Sequence, residues 1–161
     1  MLDPGLDPVD LAGFLPCTVI RVKVDLPEPF ARIQLTPDDP GVPGFEIPIS
    51  LDQARQLALI LAKERAPRPM TAELMTDVMT FNGLSVAYVA LTSIENGNFL
   101  AQLAVASPDG KVSVFAARPS DAIMLALLQP VVAPVIVNPD LLPVPENIAS
   151  RDANESNSKG A

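Results

Sequence analysis

Residues 122–128 read Ala-Ile-Met-Leu-Ala-Leu-Leu, an unbroken apolar run that follows Pro119 and ends at Gln129. Proline suits a first helical turn, because that turn needs no amide donor there and the ring already holds φ near the helical value. The run is therefore read as a helix from about 119 to 129 that is apolar nearly all round. Such a helix has no face to offer water, so it belongs inside a core or an interface. Whatever fold the chain adopts has to surround it.

The material to surround it lies on both sides. Residues 17–25 alternate, with Ile20, Val22 and Val24 between Val19, Arg21, Lys23 and Asp25, the pattern of a half-buried strand. A second strand is expected over 31–36. The turn-rich Pro37-Asp38-Asp39-Pro40-Gly41 loop follows, then a short strand over 45–49. Ser50 and Gln53 have capping-box spacing, each side chain able to satisfy the other's backbone amide. The helix they open is expected to bury Leu51, Ala54, Leu57, Ala58 and Leu61. A second helix is expected over 71–82, with Leu74, Met75, Val78 and Met79 as its apolar stripe and Asn82-Gly83 as its stop.

Residues 84–117 predict a three-stranded antiparallel meander. The strands are 84–94, 99–106 and 112–117, joined by Glu95-Asn96-Gly97-Asn98 and by Pro108-Asp109-Gly110. A last short strand is expected over 134–137. Strands, two helices, a meander, a buried helix and a final strand make an α+β fold: one domain with a mixed, largely antiparallel sheet and helices packed on it. The domain is expected over 15–142, after a flexible segment 1–14 and before a disordered polar tail 143–161.

Composition narrows the chemistry. The chain has 161 residues and no histidine, which removes histidine-dependent triads, histidine general bases and histidine metal ligands. One cysteine, Cys17, excludes a cysteine-rich zinc site and is read as a small apolar residue at a strand start. A bound metal would need oxygen ligands, which favours magnesium, manganese or calcium. The net charge of −8 works against broad, sequence-independent nucleic-acid binding, which depends on Lys and Arg neutralising phosphates. Lys63, Arg65 and Arg68 are the one dense basic cluster, read as favourable charges near a helix C-terminus. The first residues lack the basic start and apolar run of a signal peptide, and no stretch is read as membrane-spanning. A cytoplasmic location without membrane association is therefore expected.

Two helix-opening junctions share a feature. Arg68-Pro69-Met70-Thr71-Ala72-Glu73-Leu74-Met75 opens one helix and Ala117-Arg118-Pro119-Ser120-Asp121-Ala122-Ile123 opens another. The residue before a proline is pushed to extended backbone, so each arginine closes what precedes it. Ser120 and Asp121 are expected to satisfy first-turn amides, and the Asp121 charge suits a helix N-terminus. A nucleophilic Ser120 would lack a base of the usual kind.

Together with Glu46-Ile47-Pro48-Ile49, Gly97-Asn98-Phe99-Leu100-Ala101 and Pro134-Val135-Ile136-Val137, these strings make residues 15–142 resemble the bifunctional nuclease domain family. The resemblance implies an α+β domain with a large mixed sheet, self-association into a homo-oligomer, and metal-assisted cleavage of DNA and RNA. On it, Asp121 and Glu73 are the candidate catalytic and metal-holding carboxylates for Mg or Mn, with Arg68 or Arg118 on the phosphate. The first family motif commonly reads Arg-Pro-x-Thr-His-Asp-Leu, but this chain has Ala72 and Glu73 at the His and Asp positions. The second commonly has an Asp two residues before its Arg, where this chain has Ala116. The competing reading is local: Arg118 pairs with a neighbouring carboxylate, Asp121 sits in its helix's first turn and Glu73 is solvated. Three functions stay open on these residues: a weak nuclease, a non-catalytic binding or regulatory module, and an oligomerisation unit whose acidic tail recruits an unidentified protein partner.

Overall fold

The alternating N-terminal segment forms β1 (Leu15–Val24) and β2 (Phe30–Pro37) in the computed structural model, which describes residues 5–143. The polar tail expected from 143 lies, from residue 144 onward, outside the described residues. Side chains two apart share a face of a strand, so strict alternation buries one face only. β2 follows that rule, with Ala31, Ile33, Leu35 and Pro37 buried. In β3 (Phe45–Ser50), Phe45, Ile47 and Ile49 are buried while Glu46, Pro48 and Ser50 are exposed.

β3 runs straight into α1 (Leu51–Leu61) through the expected capping box. Ser50 Oγ accepts the Gln53 N–H at 3.2 Å, and Gln53 Oε1 accepts the Ser50 N–H at 3.1 Å. Ala54 and Leu57 carry the buried face, whereas Leu51 and Ala58 are exposed.

α2 (Thr71–Phe81) stops at Asn82-Gly83 as its sequence predicts, but of the expected stripe it buries only Met79. Ala72, Thr76 and Met79 face inward, while Leu74, Met75 and Val78 are exposed, with Phe81 beyond them. The reason is the packing partner. α2 lies against another helix, and the separation of two helices depends on the side chains at their contact. Ala72 and Thr76 permit a closer approach than Leu74 or Val78 would.

The meander forms as β4 (Ser85–Glu95), β5 (Asn98–Ala106) and β6 (Val112–Ala117), all antiparallel. Glu95 pairs with Asn98, which leaves Asn96-Gly97 as a two-residue turn. Their φ values, 50° and 78°, are both positive, as the tight hairpin turn matching strand twist requires. β6 then delivers the chain to α3 (Pro119–Leu127), and β7 (Val135–Val137) closes the fold.

All seven strands join one sheet in the order β3-β2-β1-β7-β4-β5-β6. β7 pairs antiparallel with β1 and parallel with β4, the one parallel pair among the described strands, so the sheet is mixed and mostly antiparallel as expected. The sheet curls: Phe45 on the edge strand β3 stacks on Phe99 of β5, next to the opposite edge strand β6, with ring centroids 6.4 Å apart. Inside the curl, α1 packs on β1, β2 and β3, and α3 packs on β4 and β5, with α1 and α2 both against α3. Seven of the nine α3 residues are buried.

Residues 5–14 run along the outside of the meander. The Leu6 N–H donates to the Val114 carbonyl on the outer edge of β6 at 2.7 Å, and Gln102 accepts from the Val9 N–H. An occupied edge offers fewer free groups for pairing with another chain. No helix among the described residues is long and apolar enough to cross a membrane.

These packing assignments can be checked by urea denaturation. Leu57→Ala empties a fully buried position and should lower unfolding stability by about 2–5 kcal/mol. Phe81→Ala, at a side chain 91% exposed, should change it by less than about 0.5 kcal/mol.

Candidate functional site

α1 starts directly from the end of β3 and α3 from the end of β6. Because the sheet curls, these two strand-to-helix junctions open onto one cleft of about 640 Å³. Residues 47–50 form one wall, residues 116–120 the opposite wall, and the β4–β5 hairpin tip, residues 97–100, the third. A smaller cavity of about 300 Å³ lies between the starts of α2 and α3, lined by Thr71, Ala72, Met75 and Asp121 among others. Gln53 and Arg118 line both.

Arg118 is the N-cap of α3 and is extended (φ −69°, ψ 141°), the conformation a following proline imposes. Its guanidinium grips Asp121 with two bonds, Nε to Oδ2 at 2.6 Å and Nη2 to Oδ1 at 3.2 Å. The hydrogen bond first, and the carboxylate charge second, raise the Arg118 pKa above its ordinary value. The Arg118 side chain is 71% exposed. The pair is therefore a local surface contact across one helical turn, of a kind worth about 0–1 kcal/mol.

This pairing changes the capping of α3. Ser120 and Asp121 were expected to satisfy first-turn amides, but α3 has no side-chain cap bond. Asp121 is drawn back onto Arg118. Ser120 stands one position past the first helical residue, Pro119, whereas capping hydroxyls act from the residue before the helix.

The other candidates lie elsewhere. Glu73 Oε2 accepts the Met70 N–H at 2.9 Å, so this carboxylate caps its own helix. Arg68 is exposed, lines neither cavity and has no ion-pair partner among the described residues. The structure thus brings Arg118 and Asp121 together and leaves Glu73 and Arg68 in separate local roles. Ala116 lines the larger cleft and Ala72 the smaller.

A divalent cation does not suit this donor set. Magnesium and manganese want several oxygen ligands in near-octahedral order. Both Asp121 oxygens are bonded to Arg118, Glu73 is bonded to Met70, and no group of three His, Cys, Asp or Glu side chains among the described residues could hold a metal.

Sequence reading treated Gln53 only as a capping partner and did not place the hairpin tip at a site. Both face the cleft because of the curl, which joins residues distant in sequence. The one local signal was that Gln53 belongs to a strand-to-helix junction like that of Arg118.

Cys17 is buried on β1 and donates its S–H to the Leu15 carbonyl at 3.6 Å. Burial, and secondarily the Asp38 charge, push its thiol up to about 12. A thiol held protonated is a poor nucleophile. Native protein at mildly alkaline pH should resist a thiol reagent that reacts readily in urea. The linkage has a definite sign. The unfolded thiol ionises near 9.0 and the folded one near 12, so above pH 9 the unfolded state binds fewer protons. This contribution to stability is complete below pH 9 and is lost as pH rises towards 12. Cys17→Ala should flatten that decline in denaturation midpoints.

A family model, that of the bifunctional nuclease domain, matches residues 38–146. The matched span contains both Arg-Pro junctions and every residue lining the two cavities except Phe30. No curated protein matches the sequence.

Proposed function

The chain belongs to the bifunctional nuclease domain family, and we propose that it works as a binding module of that fold and not as a metal-dependent nuclease. The observation that carries this reading is the commitment of both candidate carboxylates to local partners: Asp121 to the Arg118 guanidinium, and Glu73 to the Met70 N–H. Phosphodiester hydrolysis needs an activated water and stabilisation of charge on the phosphate and leaving group. The chain has no histidine to move a proton. Ala72 and Ala116 stand where the family motifs commonly carry His and Asp, and each presents a methyl group to one of the two cavities.

What remains at the cleft are groups that hold a ligand: Arg118, Ser120, Gln53 and the start of α3. The cleft falls in the size range of small-molecule sites. With a net charge of −8, the chain favours a compact ligand over a long duplex.

Hydrolysis of DNA or RNA is the second reading, favoured by Arg118 and Asp121 standing together on the smaller cavity. The purified chain should release no more product from labelled single- or double-stranded DNA or RNA with magnesium, manganese or calcium than it does with chelator. Metal-dependent cleavage that disappears in Asp121→Ala would overturn the binding-module reading.

A further inference from the structure

Gln102 is a buried polar side chain whose hydrogen bonds leave the sheet that carries it. It is 8% exposed and sits on β5, paired with Ala90 of β4 on one side and Ala116 of β6 on the other. Its sequence neighbours Ala101 and Leu103 belong to the core, so Gln102 stands on the opposite, outer face of the sheet. Ala90, Ala104 and Val114 share that face by their pairing. All three are buried, yet none belongs to the core cluster. Their cover comes from outside the sheet.

The cover is the segment before β1. Leu6 is bonded at the β6 edge, whereas Leu15 opens β1, which β7, β4 and β5 separate from β6. The residues between them therefore cross the outer face, and Gln102 meets them on the way. Its Oε1 accepts the Val9 N–H and its Nε2 donates to the Asp7 carbonyl, both at 3.4 Å. One side-chain amide thus reads the backbone on both sides of Pro8, which has no N–H of its own to satisfy. The proline also biases Asp7 to extended backbone. A buried amide is costly without partners, and a leucine in its place would carry no such cost. The chemistry of Gln102 is of use where an extended backbone lies on it.

The segment lies there lightly. Leu6, Asp7 and Pro8 are exposed, and Val9 and Leu11 are only half-buried. The two bonds to Gln102 are long, beside the 2.7 Å bond from Leu6 to Val114. A segment with few buried apolar contacts opens locally at small cost. We infer that this outer face is a docking site for an extended, proline-containing segment of a partner protein, with residues 6–9 as its occupant in the free chain. The partner's proline lies over Gln102, flanked by a carbonyl for Nε2 and an N–H for Oε1, and its backbone adds to the β6 edge as Leu6 does. Neither Gln102 nor residues 5–14 line the two cavities, so the inference stands apart from the ligand reading of the cleft.

The test is titration of the full chain with a synthetic peptide of residues 5–12, followed by NMR of the Gln102 side-chain amide. The chain's own segment competes from a short tether, so wild-type protein should take up the peptide weakly. Leu6→Pro with Val9→Pro removes the two N–H donors that hold the segment and leaves the sheet unchanged. Peptide affinity should then rise by about tenfold or more, as an intramolecular competitor is lost. In that released chain, Gln102→Leu should weaken the peptide about tenfold, the loss of two neutral hydrogen bonds. A Pro8→Ala peptide should bind about two- to fivefold more weakly, because a freer chain loses more entropy. Hydrogen exchange on the unaltered chain is a second measurement. The Leu6 amide should exchange through local opening, while that of Leu103 follows global unfolding.

Failure of the released chain to bind the peptide, equal binding after Gln102→Leu, equal binding of the Pro8→Ala peptide, or Leu6 protection equal to that of Leu103 would overturn the inference. A wild-type dimer that becomes monomeric on Leu6→Pro with Val9→Pro would identify the occupant as the same segment of a second copy, and would overturn the assignment to a partner protein.

Discussion

A helix that is apolar on every side has to be enclosed, and a flat sheet can cover one side of it at most. In this protein α3 is enclosed by a seven-stranded sheet that curls around it and by α1 and α2, which lie against its flanks. The curl brings the β3 edge to the tip of the β4–β5 hairpin, where Phe45 meets Phe99. It also leaves a cleft between the ends it brings together. On this view the cleft is a geometric consequence of burying α3. Arg118 and Ser120, at the start of that helix, lie at the cleft because that is where the helix emerges from the core, while Asp121 faces the smaller cavity.

The same arrangement gives two helix starts on one cleft with different electrostatic character. The start of α1 is closed by its own Ser50 and Gln53. The start of α3 keeps its first free amides, because its one acidic side chain turns back to Arg118. A helix start carries partial positive charge wherever its N–H groups lack partners. Within an acidic chain, this gives the cleft an electropositive spot that net charge conceals.

Much of the fold was legible in the sequence, because its signals are local. Alternation in 31–36, the Ser50–Gln53 box and the Asn96-Gly97 turn each depend on residues within a few positions of one another. The alternation read in 17–25 forms a strand but is broken by an irregularity between Val19 and Arg21, and Ile20 and Val24 are exposed. What was not legible depends on partners far along the chain. The stripe of α2 was read from size and spacing; Met79 is buried as read, but Leu74, Met75 and Val78 lost because contact with α3 favours Ala72 and Thr76. Ser120 and Asp121 were read as caps, which suits an isolated helix start. The guanidinium of Arg118 was the stronger attraction for Asp121. The cleft itself joins positions near 30, 50, 98 and 118, and no local pattern announces that meeting. Both Arg-Pro strings contribute residues to the cavities' walls, Thr71, Ala72 and Met75 from the first and Arg118 to Asp121 from the second.

One modest element has a consequence for how the chain reaches its native state. β7 has three residues, yet it is the strip that joins β1 to β4 and so turns two antiparallel units into one sheet. Its parallel pairing with β4 spans the whole of the meander and α3, and such non-local pairing slows folding. During synthesis from the N-terminus, β1, β2 and β3 can pair, and so can β4, β5 and β6, while the inner edges of both units await a strand that emerges last. Until then the apolar α3 has an incomplete enclosure and two open edges beside it, the stage at which off-pathway association is most favoured. The timing of a three-residue strand thus governs the chain's exposure to misassembly at the ribosome.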